Sequence, residues 1–153
     1  MQSTPRNFSA HRQKGAAAIE FAAVFIAFFA VFYGLVSYCL PLLMMQSFNA
    51  AASEAVRRSV ALSPSIPNYQ TLIISQARSV LTTQLNWLPT ALAFNLTTDA
   101  DVSYSPAGVL TVKINYPTSR INQVIPFLVL PGIGQVPNLP ATLSAQASMQ
   151  LVP

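Results

Sequence analysis

The sequence predicts an α+β fold in which a long, membrane-anchoring N-terminal helix is followed by a second helix and a small antiparallel sheet. Three patterns predict it. Residues 21–53 contain no charged side chain, residues 69–88 carry apolar side chains at helical spacing, and from Phe94 onward apolar and polar residues alternate. Only 8% of the chain is charged, against about 25% in soluble domains, so something other than water is expected to surround part of it.

The few charged residues limit the chemistry that the chain can perform. It has one histidine, four acidic residues and one cysteine, Cys39, which cannot form a disulfide within the chain. With so little acid–base and metal-ligating material, we expect no catalytic residues, no metal, no cofactor and no enzyme activity. The eight basic residues are spread along the chain instead of forming a dense stripe, so nucleic acid is not an expected partner.

The first predicted helix crosses a membrane. The segment 16–45 is apolar on all sides and exceeds the roughly 20 residues that span a bilayer. The basic residues before it are Arg6, Arg12 and Lys14. The next basic residue after it is Arg57, so the positive-inside rule predicts a cytoplasmic N-terminus and a C-terminal part across the membrane.

The same helix is predicted to continue beyond the membrane through residues 46–62. Pro41 lies near the distal end of the span and is expected to kink the helix without ending it. No further glycine or proline occurs before Ser63–Pro67, which is expected to stop the helix. The extension carries one apolar stripe that needs a covering surface: Phe48, Ala52, Ala55, Val56 and Val60.

A second helix is predicted from Tyr69 to about Trp87, with Asn68 as its N-cap and Pro89 after its end. Its apolar residues recur at helical spacing: Tyr69, Leu72, Ile73, Ala77, Val80, Leu81, Leu85 and Leu88. The helical extension is the nearest segment in sequence that could cover them. Residues 68–153 are expected to form a small α+β domain.

The strands are predicted from alternation. Residues 94–97 alternate apolar with polar, and a hairpin is predicted from Val102 to Tyr116 around the turn Ser105–Gly108. The last strand has the clearest pattern: Leu143, Ala145, Ala147, Met149 and Leu151 alternate with polar residues. An antiparallel sheet with one face on the helices is expected.

Two features allow a second interpretation. Asp99 and Asp101 are interpreted as turn residues before a strand, and half of a calcium site is the alternative. The proline-rich, apolar segment 117–140 is interpreted as a short helix or loop that fills the end of the sheet. The alternative is an exposed apolar patch for a partner protein.

The most informative motif lies where the apolar segment begins. Glu20 is a lone carboxylate there, and in mid-bilayer such a group costs about 2.5–3.5 kcal/mol. Gly15, just before the apolar run, is an unusual residue for the start of a helix. A protease that cuts after Gly15 explains both, because Ala16 becomes a new amino terminus and Glu20 the fifth mature residue. The ammonium group of one subunit and the carboxylate of its neighbour can then neutralise each other in a helical assembly.

This pattern resembles the leader of type IV pilin-like proteins and, among them, the TadE-like minor pilins (pseudopilins) of the Tad, or tight-adherence, adhesion pilus. The similarity rests on Gly15–Ala22, on Ala52–Arg58 and on the strand-rich end Leu143–Leu151. Phe21 after the glutamate, and a folded region after residue 62, fit the minor pilins better than the shorter major pilin.

The resemblance implies a pilin-like fold and a set of site residues. Residues 1–15 would be a basic cytoplasmic leader that a prepilin peptidase removes between Gly15 and Ala16. Glu20, with Phe21 beside it, would act in subunit registration. The implied partners are the lipid bilayer, the prepilin peptidase, other pilin and pseudopilin subunits, and the pilus assembly machinery.

The resemblance also implies a location in the bacterial inner membrane, with the C-terminal domain in the periplasm until the assembly machinery takes up the subunit. Whether the subunit caps the fibre, initiates it or stays in the membrane is left open. One alternative is an uncleaved single-pass anchor with a periplasmic protein-interaction domain. Another is a secreted protein with residues 1–40 as signal peptide, although the apolar segment is longer than the usual 7–15 residues.

Overall fold

The computed structural model describes residues 13–130 and 132–151, with side chains from Gly15 onward. The helices are α1 (Gln13–Ser59), α2 (Tyr69–Leu85) and the short α3 (Leu96–Asp99), with 3-10 turns at Thr90–Leu92 and Thr118–Gln123. The strands are β1 (Ala100–Tyr104), β2 (Val109–Pro117), β3 (Leu128–Leu130), β4 (Gly134–Val136) and β5 (Thr142–Gln150). The predicted α+β class, with a long apolar N-terminal helix, is confirmed.

Helix α1 is long and apolar enough to cross a membrane, and no residue of its most apolar window is buried. Pro41 lies inside α1 and does not end it, as predicted. The chain divides into two compact units between Val36 and Ser37. The predicted leader falls outside the described residues except for its last three positions, which belong to α1.

In the second unit, the outer part of α1 supplies one side of the core. Its buried residues follow helical spacing: Met44, Phe48, Ala51, Ala52, Ala55 and Val56. Val60 was predicted in the same stripe but is exposed, because α1 ends at Ser59 and the chain turns there. The hydroxyl of Ser59 donates to the carbonyl of Ala55 at 2.8 Å within the last helical turn.

Helix α2 presents the predicted apolar face to the core, where Ile73, Ala77, Val80, Leu81 and Leu85 are buried. Asn68 holds the predicted N-cap position but does not cap the helix with its side chain. Its backbone is left-handed (φ 60°, ψ 31°), a conformation that asparagine adopts more readily than most residues. The carbonyl of Asn68 accepts the first helical hydrogen bond, from Leu72 N–H at 3.1 Å.

The prediction of a strand at residues 94–97 is wrong, because residues 94–95 pair with no strand and helix α3 begins at Leu96. The side-chain oxygen of Asn95 accepts from the N–H of Thr97 at 2.9 Å, and Asp99 Oδ2 accepts from the N–H of Asn95 at 2.8 Å. Such local side-chain bonds satisfy backbone donors and compete with strand pairing.

The main sheet is antiparallel with strand order β1-β2-β5. The predicted hairpin is present, with Val102 opposite Val112, and Gly108 closes its turn with φ 78°. On β2 the predicted inward residues are all buried: Leu110, Val112, Ile114 and Tyr116. On β5 the predicted face is buried at Leu143 and Ala145, half-buried at Ala147 and exposed at Met149.

Aromatic rings from α1, from the loop before α3 and from β2 pack together in the core. The ring of Phe48 lies 5.6 Å from that of Phe94 and 6.0 Å from that of Tyr116, centroid to centroid. The hydroxyl of Tyr116 donates to the carbonyl of Leu92 at 2.7 Å, so its polar end is satisfied inside the core. Burial raises the pKa of Tyr116, since the charged phenolate is poorly solvated there.

Segment 117–140 contains both a short helical turn and an exposed apolar patch, the two features between which the sequence left a choice. It begins with the 3-10 turn Thr118–Gln123, whose Ile121 is buried, in agreement with a short helix that closes the sheet. It then forms an unpredicted antiparallel hairpin, β3 with β4, which exposes Val129 and Ile133. Gly132 and Gly134 have positive φ at and beside this turn, a conformation that favours glycine.

Candidate functional site

The four residues singled out at the start of the apolar segment lie together on α1. Gly15, Ala16, Glu20 and Phe21 are all exposed. Ala16 and Glu20 are four residues apart, so they are neighbours on one face of the helix. An amino terminus created at Ala16 would therefore lie one turn from the Glu20 carboxylate, on the same side.

Glu20 has no ion-pair or hydrogen-bond partner in the part of the chain that the structure describes. It faces outward from an otherwise apolar helix surface, with Ile19 and Phe21 exposed on either side. A carboxylate in that setting favours a countercharge supplied from outside the described residues.

Gly15 is not required by the local backbone. A Cβ added at this position would meet no atom within 4 Å, and Gly15 is not among the glycines with positive φ. Glycine at a helical position is less favourable than alanine by about 1 kcal/mol. The described structure thus gives no folding reason for a glycine at this position.

Phe21 begins a row of aromatic rings that the sequence interpretation missed. Phe21, Phe25, Phe29 and Tyr33 are spaced by four residues, and successive rings stack with centroids 6.1, 6.3 and 6.5 Å apart. A second stacked pair, Phe28 and Phe32, lies 6.1 Å apart. The i,i+4 spacing of the aromatic residues was the available signal. The row gives this part of α1 a broad aromatic surface.

A comparison with known protein families found a match, and it lies in this part of the chain. Residues 15–57 match the model of the TadE-like protein family. Over these residues, which we call the TadE-like segment, the chain is similar to proteins of that family. No curated protein matches the chain. No solved structure matches it either. The match covers most of α1, supports a component related to Tad pilus systems, and stops before the region that forms α2 and the sheets.

The TadE-like segment ends in a cluster of three charges. Glu54 accepts from Arg57 at 2.7 and 2.8 Å and from Arg58 at 2.6 Å. The hydrogen bonds from Arg57 and then Arg58 lower the pKa of Glu54 from 4.5 to about 2. Both arginines are exposed, in agreement with a solvated helix face. Arg57 and Arg58 thus both donate hydrogen bonds to the carboxylate of Glu54.

Beyond the TadE-like segment, Asp99 and Asp101 are not brought together. The carboxylate of Asp99 is buried and accepts from Arg120 at 2.7 Å, which also donates to the carbonyl of Ala93 at 2.9 Å. Asp101 lies within β1, opposite Lys113 of β2. Among the described residues no group of three metal-ligating side chains occurs.

An open depression of about 230 Å³ lies where α2 ends. Its lining is apolar or neutral: Leu81, Thr82, Leu85, Asn86, Leu88, Pro89, Thr90, Phe94 and Leu96. No acid, base or thiol is among these residues.

Proposed function

We propose that this chain is a minor pilin (pseudopilin) that contributes to assembly of a Tad-type adhesion pilus and is cleaved after Gly15 by a prepilin peptidase. One observation carries the proposal. In the TadE-like segment, Gly15, Ala16 and Glu20 are exposed on one helix, a Cβ at Gly15 would meet no atom within 4 Å, and Glu20 has no charged partner among the described residues.

Cleavage supplies the missing countercharge. Hydrolysis of the Gly15–Ala16 peptide bond leaves a carboxylate on Gly15 and an amino group on Ala16, which is largely protonated at neutral pH. In a helical assembly the ammonium of one subunit neutralises Glu20 of its neighbour. The energy gained depends on axial register, because a charge pair in a low-dielectric setting weakens as the two charges separate.

The surface of α1 suits two successive environments. Apolar exposed residues from Ile19 to Val36 are compatible with lipid while the subunit waits in the inner membrane. The same surface can later pack against helices of other subunits, with the stacked row that starts at Phe21 as one contact face. We propose a cytoplasmic N-terminus and a periplasmic C-terminal domain, in accordance with the positive-inside rule.

The role proposed is structural. The candidate residues are suited to being cut, to pairing with a charge and to packing, and the depression at the end of α2 has a neutral lining. The partners that we propose are the lipid bilayer, the prepilin peptidase, other pilin and pseudopilin subunits, and the assembly machinery.

One observation favours the uncleaved anchor as a second candidate. The Gly15–Ala16 bond lies inside α1, which the structure describes from Gln13 onward. A protease needs that bond in an extended form. Cleavage after Gly15 therefore requires the helix to unwind locally at this bond.

A signal peptide removed near residue 40 is disfavoured. Ser37 and Pro41 are buried, and both lie in the interior of α1. Cleavage near residue 40 would remove Ser37 from the second unit, to which both Ser37 and Pro41 belong.

The N-terminal residue of the membrane-bound protein distinguishes these possibilities. Intact-mass and N-terminal peptide mass spectrometry should find Ala16 in cells that contain the peptidase and Met1 in cells that lack it. Met1 in pilus-forming cells with an active peptidase would contradict the proposal and leave the uncleaved anchor. A first residue beyond about position 38 would indicate a signal peptide instead.

A further inference from the structure

The hairpin formed by β3 and β4, residues 128–136, is an exposed apolar projection in a part of the chain without charge. No acidic or basic residue occurs from Ile121 to the end of the sequence. Val129 is 77% exposed and Ile133 is 74% exposed, and Leu128 is also exposed. Both valine and isoleucine are normally buried, so this surface is expected to have an apolar contact.

The base of the hairpin is fixed to α1. Two residues after β4 ends, the N–H of Asn138 donates to the hydroxyl of Tyr38 at 2.8 Å. Pro137 is fully buried, and Leu139 packs against the core. The end of the hairpin nearer the core therefore lies beside the part of α1 that contains Tyr38.

Tyr38 is expected close to the outer boundary of the bilayer if the span begins at Gly15 or directly after Glu20. A hydrocarbon segment of about 20 residues ends near Gly34 if it begins at Gly15, and near Leu40 if it begins after Glu20. Along a helix that rises 1.5 Å per residue, Tyr38 then lies within about 6 Å of the boundary. Tyrosine is a typical residue at that depth.

The tip of the hairpin can reach the same boundary. Ile133 is five residues before Asn138, so an extended chain allows at most about 17 Å between their Cα atoms. The backbone is also suited to a partly apolar setting. Leu128 pairs with Val136 and Leu130 with Gly134, and the N–H of Ile133 donates to the carbonyl of Leu130 at 3.1 Å.

We propose that the β3–β4 hairpin is a second membrane contact, which inserts Val129 and Ile133 into the headgroup–acyl boundary of the leaflet from which α1 emerges. The occupant of this apolar surface is lipid. The surface is tied to the membrane-exit region of α1, and it has no charge whose desolvation would oppose insertion. The inference rests on the proposed membrane anchoring by α1, not on leader cleavage or pilus assembly.

Tryptophan fluorescence tests the contact. The single native tryptophan is removed by Trp87→Phe, and a probe is introduced by Val129→Trp in the full chain, reconstituted in phosphatidylethanolamine–phosphatidylglycerol vesicles. Gln146→Trp is the matched control, because Gln146 is an exposed strand residue on the polar face of β5. Ile133→Trp serves as a second probe if the first variant folds poorly.

The proposal expects blue-shifted emission from the probe at position 129 and about twofold or stronger quenching by lipids brominated on the acyl chain than at position 146. The control should instead be quenched by aqueous iodide. Equal behaviour of the two positions would overturn the proposal. Blue-shifted emission without bromolipid quenching would also overturn it, and would indicate a protein contact.

Flotation of the same vesicles after alkaline extraction separates this inference from the anchoring on which it rests. Protein that fails to float has no membrane anchor, and the proposed function fails with it. Protein that floats while the probes at positions 129 and 133 stay accessible to iodide retains its anchor and lacks only the hairpin contact.

Discussion

The guanidinium of Arg120 donates to the carboxylate of Asp99 at 2.7 Å, and this pair joins the 3-10 turn after β2 to the residue before β1. The Asp99 side chain is 3% exposed and the Arg120 side chain 28%. The guanidinium also lies 5.6 Å from the centre of the Tyr116 ring. One arginine thereby connects the neighbouring loop, the sheet and a buried carboxylate.

Arg120→Met is expected to destabilise the second unit by about 2–3 kcal/mol, because it leaves the Asp99 carboxylate buried without its charged partner. Urea unfolding of the detergent-solubilised protein, followed by fluorescence of the single tryptophan, measures the change. The control is Arg78→Met, since Arg78 is half-buried and makes no ion pair among the described residues. A similar loss in both variants would contradict the role of the pair.

Phe48→Ala is expected to cost about 3–5 kcal/mol, because it removes a fully buried ring that packs on Phe94 and Tyr116. The same urea experiment applies. Phe28→Ala is the matched control on the same helix, and its ring is exposed, so unfolding of the second unit should not change. An unaltered midpoint for Phe48→Ala would show that α1 does not contribute to the core in solution.

The pKa of Glu54 predicts a specific loss of stability in acid. This carboxylate titrates at about 2 in the folded chain and at 4.5 when unperturbed, so the unfolded state binds its proton first as the pH falls. Its stabilising contribution is complete above pH 4.5 and is lost as the pH approaches 2. Comparison of unfolding midpoints for the wild type and Glu54→Gln across this range isolates the effect, since the other carboxylates titrate in both proteins.

The difference in unfolding midpoint between the wild type and Glu54→Gln should be small at neutral pH, because Glu54 and its two arginines lie on the surface. The difference should shrink further in high salt. A wild-type advantage that persists unchanged at pH 2 would contradict the assigned pKa.

Gly15→Ala is expected to be processed better than Gly15→Val. Neither change meets a neighbouring atom within 4 Å of the new Cβ, so a difference between them reports on the protease, which must accept a small residue there. The fractions of cleaved and uncleaved chain in membranes, measured by mass spectrometry, give the answer. Equal processing of the two variants would count against a size-selective peptidase at this bond.

Glu20→Ala is expected to leave leader cleavage largely intact and to impair pilus assembly, because it removes the carboxylate that meets the new amino terminus. Cleavage is measured by mass spectrometry, and piliation by electron microscopy and shear-fraction immunoblotting. Val24→Ala, another truncation of an exposed residue on α1, should assemble normally. Normal piliation with Glu20→Ala would refute the registration role.

The pattern of apolar and polar residues alone identified those helices and strands whose sides differ in contact with water or lipid. A helix without charges from residue 21 to residue 53, an apolar stripe on α2 and strict alternation along β2 each report which side of an element avoids water, and that information is local. Gly15, Ala16 and Glu20 were singled out as exceptions to that pattern and Phe21 by the family resemblance, and α1 carries all four on an exposed surface.

The tertiary structure decided what depends on contacts between distant residues. Residues 94–97 alternate like a strand, yet local bonds of Asn95 and Asp99 start helix α3 at Leu96. Asp99 in turn accepts from Arg120, 21 positions away. The bond between Tyr38 and Asn138 spans 100 positions and no periodicity signals it. Hydrophobic pattern fixes which face of an element is buried, whereas the partner that buries it depends on how the whole chain closes.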